Sequence, residues 1–191
     1  FFIVVGCRKD EIQPCVEELR SKYSLSIQVV ENPCWEEGNG SSAAASAPYL
    51  SGPFLLMMCD HLFEPVVLEE LVKAHDGSEE CRLAVDRNID DLFDLDDATL
   101  VRLEGDTISA IGKGLENPDA VDTGFFLCLP HLFPALEKAR REGDGSLSAG
   151  IRNLIADGKM GFVDVSECFW HDVDTPEALL DGEGRLMDQL K

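Results

Sequence analysis

Positive charge is scarce in this chain: 16 lysines and arginines stand against 37 aspartates and glutamates, a net charge of −21 over 191 residues. That balance excludes binding along a nucleic-acid backbone, which needs a basic surface. It leaves ample carboxylate for a divalent cation. No apolar run approaches the ~20 residues of a membrane span, and no signal-peptide pattern is present. The seven cysteines, at 7, 15, 34, 59, 81, 128 and 168, include no CxxC pair. Neither a disulfide framework nor a zinc site is therefore expected, and the reducing cytoplasm is the natural compartment. Also missing are the lysine of a GxxxxGK[ST] loop, a GxSxG-like setting for serine or cysteine, and any histidine pair at metal-ligand spacing. A hydrolase with a covalent intermediate is disfavoured on that ground. The opening Phe1-Phe2-Ile3-Val4-Val5 has no initiator methionine and no polar lead-in, which is expected of a sequence read from inside a domain.

What is present is enough apolar residue, 45% of the chain, to build one sizeable core, so one domain over 1–191 is expected. Phe54 to Met58 is an uninterrupted apolar run and predicts a strand buried on both faces, the kind found inside a parallel sheet. It ends in Asp60 and His61, with a helix opening near Pro65. Ligands of open α/β sheets bind at the carboxyl ends of strands, so Asp60 either holds a ligand or caps the next turn. Upstream, strands are predicted over 2–5 and 26–30, and a helix over about 10–22 with Ile12, Cys15, Val16 and Leu19 on one face and Pro14 in its first turn. Downstream come a strand at 81–86, a hairpin of 99–104 and 107–111 about Gly105-Asp106, and a long strand at 120–129. Helices at about 130–142 and 147–157, short strands at 160–165 and 168–170, and a helix from Pro176 to about Leu190 complete the chain. The alternation of β and α early and antiparallel elements late predicts an α/β three-layer αβα sandwich, Rossmann-like, with a mostly parallel sheet and an antiparallel extension.

Five groups of residues could carry chemistry. Asn39-Gly40-Ser41, between a strand and a helix, would let backbone N–H groups approach a ligand, although a plain helix cap explains them as well. Trp170-His171-Asp172-Val173-Asp174-Thr175-Pro176 ends one strand and opens a helix. Thr175 or Asp174 serves as cap, which leaves a carboxylate over. If the two strands are neighbours, Asp172 faces Asp60 across 112 positions of sequence. Two carboxylates from separate strand ends suit Mg²⁺ while leaving positions open for phosphates. Lys113, between two glycines, is either a phosphate contact or a solvent-facing lysine. Asp86-Arg87 offers a guanidinium for a phosphate, or a local ion pair. Asp122-Thr123-Gly124 interrupts an apolar strand, and a buried carboxylate there must be paired or functional.

Glu37-Gly-Asn-Gly-Ser41, Met58-Cys-Asp-His61, Ala84-Val-Asp-Arg87, Ile111-Gly-Lys113, Val121-Asp-Thr-Gly-Phe-Phe126 and Trp170-His-Asp-Val-Asp-Thr175 occur in one order across nearly the whole chain. In that order they resemble the sugar-phosphate nucleotidyltransferase superfamily, with its glycosyltransferase-A-like fold. Within it, they are most similar to the cytidylyltransferase domain of CTP:inositol-1-phosphate cytidylyltransferases. The resemblance implies Mg²⁺-dependent transfer of a cytidylyl group from CTP to a sugar or polyol phosphate, with release of pyrophosphate. By position it implies Asp60 and Asp172 as the metal pair, with Asp174 as substitute for Asp172. Asn39, Gly40 and Ser41 fall in the nucleotide pocket, and Lys113 is the catalytic phosphate contact beside Asp60. Asp122, Thr123 and Gly124 form the acceptor-side loop, with Asp86 and Arg87 as further acceptor contacts. Other nucleotides and acceptors, such as GTP with a hexose 1-phosphate or CTP with phosphocholine, remain alternatives, as does a catalytically silent binding module. Members of this subtype are fused to, or cooperate with, a membrane-embedded alcohol-phosphate transferase, and a homodimer is compatible with the resemblance. The family's N-terminal strand and its Gly-rich loop, Leu-Ala-Ala-Gly-x-Gly-x-Arg followed by Pro-Lys, have no counterpart here. They are expected upstream of Phe1, because a sheet without its first strand exposes an apolar edge.

Overall fold

A computed structural model describes residues 1–92 and 94–189 as two units, one formed by 1–53 and 130–154, the other by the described residues of 54–129 and 155–191. Phe93, Leu190 (expected in the last helix) and Lys191 lie outside the described residues.

In the first unit β1 (Phe2–Val5) and β2 (Gln28–Glu31) pair in parallel, Phe2 opposite Gln28 and Val5 opposite Glu31. They are connected by α1 (Lys9–Tyr23), the crossover that parallel pairing requires. Pro14 lies inside α1 rather than in its first turn, where its missing N–H forfeits one helical bond. A 3₁₀ turn at Trp35–Glu37 leads into α2 (Asn39–Ala45). The rest of this unit is α4 (Leu132–Arg141) and the start of α5 (Leu147–Ala156). Asn39 accepts a hydrogen bond at its Oδ1 from the N–H of Leu147 (2.8 Å), satisfying a donor that the start of α5 would otherwise leave orphaned. Gly40 permits that approach: a Cβ there would stand 2.6 Å from the Gly145 carbonyl oxygen and 2.7 Å from that of Ser146.

The second unit is built on six strands in the order β3 (Phe54–Met57), β8 (Ala120–Cys128), β5 (Cys81–Asp86), β9 (Met160–Asp164), β7 (Thr107–Gly112) and β6 (Leu100–Glu104). Only β5 and β9 pair in parallel; every other neighbour in this sheet is antiparallel. The sheet is therefore mixed rather than mostly parallel. β3, β5 and β9 do run the same way, as alternating β and α elements require, but β8 inserts between β3 and β5 in the opposite sense.

That insertion also corrects the place of Phe54 to Met57. The strand is not buried on both faces but, among the described residues, pairs with β8 alone, and Leu55 and Met57 are exposed. The strands with near-continuous burial are β5 and β8, each flanked on both sides. α3 (Val66–Lys73) lays Val67 and Leu71, one helical turn apart, against Ala84, Phe125, Leu127 and Val165 in a fully apolar cluster. A separate antiparallel pair joins β4 (His61–Phe63) to β10 (Trp170–Asp172), and α6 (Pro176–Gln189) follows β10. Thr175 caps α6, its Oγ1 accepting the Ala178 N–H at 3.1 Å, so neither Asp172 nor Asp174 is spent on the cap.

Gly40→Ala sets two effects against each other. Alanine favours the helix by up to about 1 kcal/mol, whereas forcing a Cβ against rigid backbone costs about 1–3 kcal/mol. The backbone clash dominates, and urea denaturation is expected to show net destabilisation.

Candidate metal centre

Pairing of β4 with β10 sets the site. Asp172 lies directly opposite His61, and the next step of the ladder is a hydrogen bond from the Val173 N–H to the Asp60 carbonyl at 3.0 Å. The 112 positions between the two acidic clusters are closed by this three-residue ladder. One carboxylate oxygen of Asp60, one of Asp172 and a ring nitrogen of His61 all lie within 4.8 Å of one another. His61 Nδ1 is 3.1 Å from Asp60 Oδ1 and 3.6 Å from Asp172 Oδ1. About half of each carboxylate side chain is exposed, whereas the imidazole is only 8% exposed. The ring stacks on Trp170 (centroids 6.1 Å, planes 24° apart) and meets Phe125 edge-on at 5.7 Å. Burial raises the pKa of Asp172; His61 opposes the rise, and the charges of Asp174 and Asp60 add to it. Asp174 stands near enough to act on Asp172 but is outside the three-residue cluster.

The acceptor-loop residues of the sequence reading brace this centre. Between Leu83 and Val85 the register of β5 against β8 shifts from Phe126 to Asp122, a bulge holding Thr123 and Gly124. Thr123 is fully buried and donates its hydroxyl to the Ala84 carbonyl at 2.7 Å. Asp122 Oδ1 accepts the Gly124 N–H at 2.8 Å, and burial pushes its carboxyl up to about 6, partly offset by that bond and by His61. Gly124 has φ +79°, and a Cβ there would stand 2.8 Å from His61 Nε2. Glycine is required both for the backbone and for the ring beside it.

The remaining candidates take other partners. Asp86 is buried, accepting the Trp170 indole N–H at 2.8 Å and the Asn88 N–H at 2.8 Å. It thus fixes the aromatic ring on which His61 rests. Arg87 pairs with Asp164 at 2.7 Å and lies over the Phe162 ring. Lys113 forms an exposed ion pair with Asp97. Asn39, Gly40 and Ser41 belong to the first unit; Asn39 binds Leu147, and the Ser41 hydroxyl lies 2.7 Å from the Gly38 carbonyl and 2.9 Å from that of Cys34. From the sequence, His61 is noted only as the residue after Asp60, and Trp170 is given no role. A three-residue strand is too short to show a period, so only the Asp-His and Trp-His-Asp adjacencies signalled them.

No protein-family profile matches the chain. It is 33% identical over 182 residues to a protein of Rubrobacter xylanophilus named bifunctional IPC transferase and DIPP synthase, covering 93% of this chain and 39% of that one. A protein of the same name from Thermococcus kodakarensis is 30% identical over 178 residues, again covering 93% and 39%. The chain thus spans about two fifths of the length of these curated relatives. Among solved structures it superposes on the inositol-1-phosphate CTP transferase from T. maritima with a TM-score of 0.85 and 26% identity, over 100% of this chain and 76% of that one. It also superposes on a UDP-glucose pyrophosphorylase complexed with UDP-glucose, with a TM-score of 0.75 and 13% identity, over 98% and 80%. The fold is glycosyltransferase-A-like α/β.

Because burial raises the Asp122 carboxyl above its unfolded value near 4, the group favours the folded state fully below that value, and the contribution is lost as pH rises through about 6. Asp122→Asn in chelator-treated protein is expected to gain stability over the native chain between pH 4 and pH 7, by on the order of 3 kcal/mol. Denaturant titrations across that range measure it.

Proposed function

We propose that this member of the sugar-phosphate nucleotidyltransferase superfamily transfers a cytidylyl group from CTP to an inositol 1-phosphate-like polyol phosphate and releases pyrophosphate. The observation that carries the reading is the β4–β10 ladder, which gathers two half-exposed carboxylates and an imidazole about one point. That donor set suits a divalent cation, since two carboxylates with room for water and phosphate oxygens are what such an ion takes. Held by Asp60 and Asp172, with Asp174 beside them, Mg²⁺ or a similar ion would neutralise the triphosphate charge.

The chain's own residues do the rest of the work. The attacking group is the acceptor's phosphate oxygen, already an anion, so no side chain need serve as general base. Asp122, Thr123 and Gly124 hold the bulge against which an acceptor would lie, and Asp86 keeps Trp170 in place beneath His61. Lys113 is free to change partners at little cost, because an exposed pair such as that with Asp97 is worth under about 1 kcal/mol. Arg87 would have to leave Asp164 to reach an acceptor phosphate in the same way. No helix among the described residues is long and apolar enough to cross a membrane. We place this domain in the cytoplasm, working beside or fused to an alcohol-phosphate transferase.

In the full-length protein, Asp60→Asn is expected to lower pyrophosphate release from CTP and inositol 1-phosphate by at least about 100-fold, the scale of losing a charge-stabilising group at a reacting phosphate. Full activity in that variant overturns the assignment. Calorimetry with CTP beside the same assay identifies a silent binding module as binding without turnover.

A further inference from the structure

We propose that His61 is the third protein donor of the cation site, through Nδ1, and that the site therefore favours first-row transition-metal ions, even the weakly binding Mn²⁺, over Mg²⁺. The inference rests on the metal site argued above. Mg²⁺ takes oxygen donors and keeps much of its water, whereas imidazole nitrogen is a ligand of transition metals. A carboxylate–imidazole–carboxylate set thus has a different preference from two carboxylates alone.

The distances support ligation. Donors on adjacent corners of an octahedron with bonds of about 2.1 Å stand roughly 3 Å apart, and opposite donors roughly 4.2 Å. Nδ1 is 3.1 Å from Asp60 Oδ1 and 3.6 Å from Asp172 Oδ1, and no pair in the triple exceeds 4.8 Å. The nitrogen is held in that position. The ring lies on Trp170 and against Phe125, its side chain is 8% exposed, and Nε2 fills the space that Gly124 leaves empty of a Cβ. Trp170 is itself fixed through its indole N–H to Asp86. A surface imidazole serving only to balance charge would need none of this immobilisation. Here the restraint passes through four elements, β4, β5, β8 and β10, to a single ring nitrogen.

Pulsed electron paramagnetic resonance of the full-length protein loaded with Mn²⁺ alone, with and without ¹⁵N-histidine, tests this. The expected result is a directly bonded histidine nitrogen coupling that changes with the isotope and vanishes in His61→Phe, which keeps an aromatic ring on Trp170. Calorimetry is expected to show the same variant losing at least about tenfold in Mn²⁺ affinity while Mg²⁺ affinity changes much less. If His61→Phe fails to fold, the isotope comparison in the native protein decides alone. Bound Mn²⁺ without a bonded histidine nitrogen, or a coupling that survives in His61→Phe, overturns the role of His61 and leaves the two-carboxylate site standing. No Mn²⁺ or Mg²⁺ binding, with Asp60→Asn indistinguishable from native protein, overturns the metal site itself.

Discussion

Three ladder positions between β4 and β10 hold the candidate centre together. The pairing sets Trp170 opposite Phe63, His171 opposite Leu62 and Asp172 opposite His61. Side chains alternate along a strand, so directly opposite residues share a face, and one residue of slip would send Asp172 to the other side. A ladder this short is marginal alone. It is kept in register by the packing of Phe63 against Phe125 and by the hydrogen bonds that close its ends, Val173 to Asp60 and Glu64 to Phe169.

Bringing acids together in a chain already carrying a charge of −21 has an electrostatic cost. It shows at Asp172, where burial, joined by the charges of Asp174 and Asp60, outweighs the help of His61; Asp122 is raised to about 6 by burial instead. Structural ion pairs are elsewhere and exposed: Arg140 with Glu37, Arg87 with Asp164, Lys113 with Asp97. Around the centre the protein uses immobilised polar groups instead, namely the Gly124 N–H on Asp122, the Thr123 hydroxyl on Ala84 and the Trp170 indole on Asp86. Partly buried carboxylates gathered where a cation would neutralise them mark a candidate site for binding.

Much of this was legible in residue order. Val67 and Leu71 at helical spacing, the hairpin about Gly105-Asp106, and the Asp-Thr-Gly break inside an apolar strand each carry a local signal that the fold honours. The strand at Phe54–Met57 misled because an apolar run looks the same at a sheet's centre and at its edge; only its neighbours distinguish the two. Asn39 and Ser41 are ambiguous for a related reason. Residues suited to cradling a ligand are equally suited to capping a helix or bonding a nearby carbonyl, and here the chain supplies those partners itself.

The sequence alone determined the α/β class, the acidic character and the two clusters that meet, Asp60 at one strand end and Asp172 at another, because composition and periodicity are local quantities. Only the tertiary structure decided that β8 enters the sheet antiparallel, that His61 rather than Asp174 completes the triple, and that Trp170 and Gly124 hold its ring in place. Those facts depend on which strands become neighbours and in what register. Pairing between residues more than a hundred positions apart is selected by the packing of the whole core, and no short window of sequence contains it.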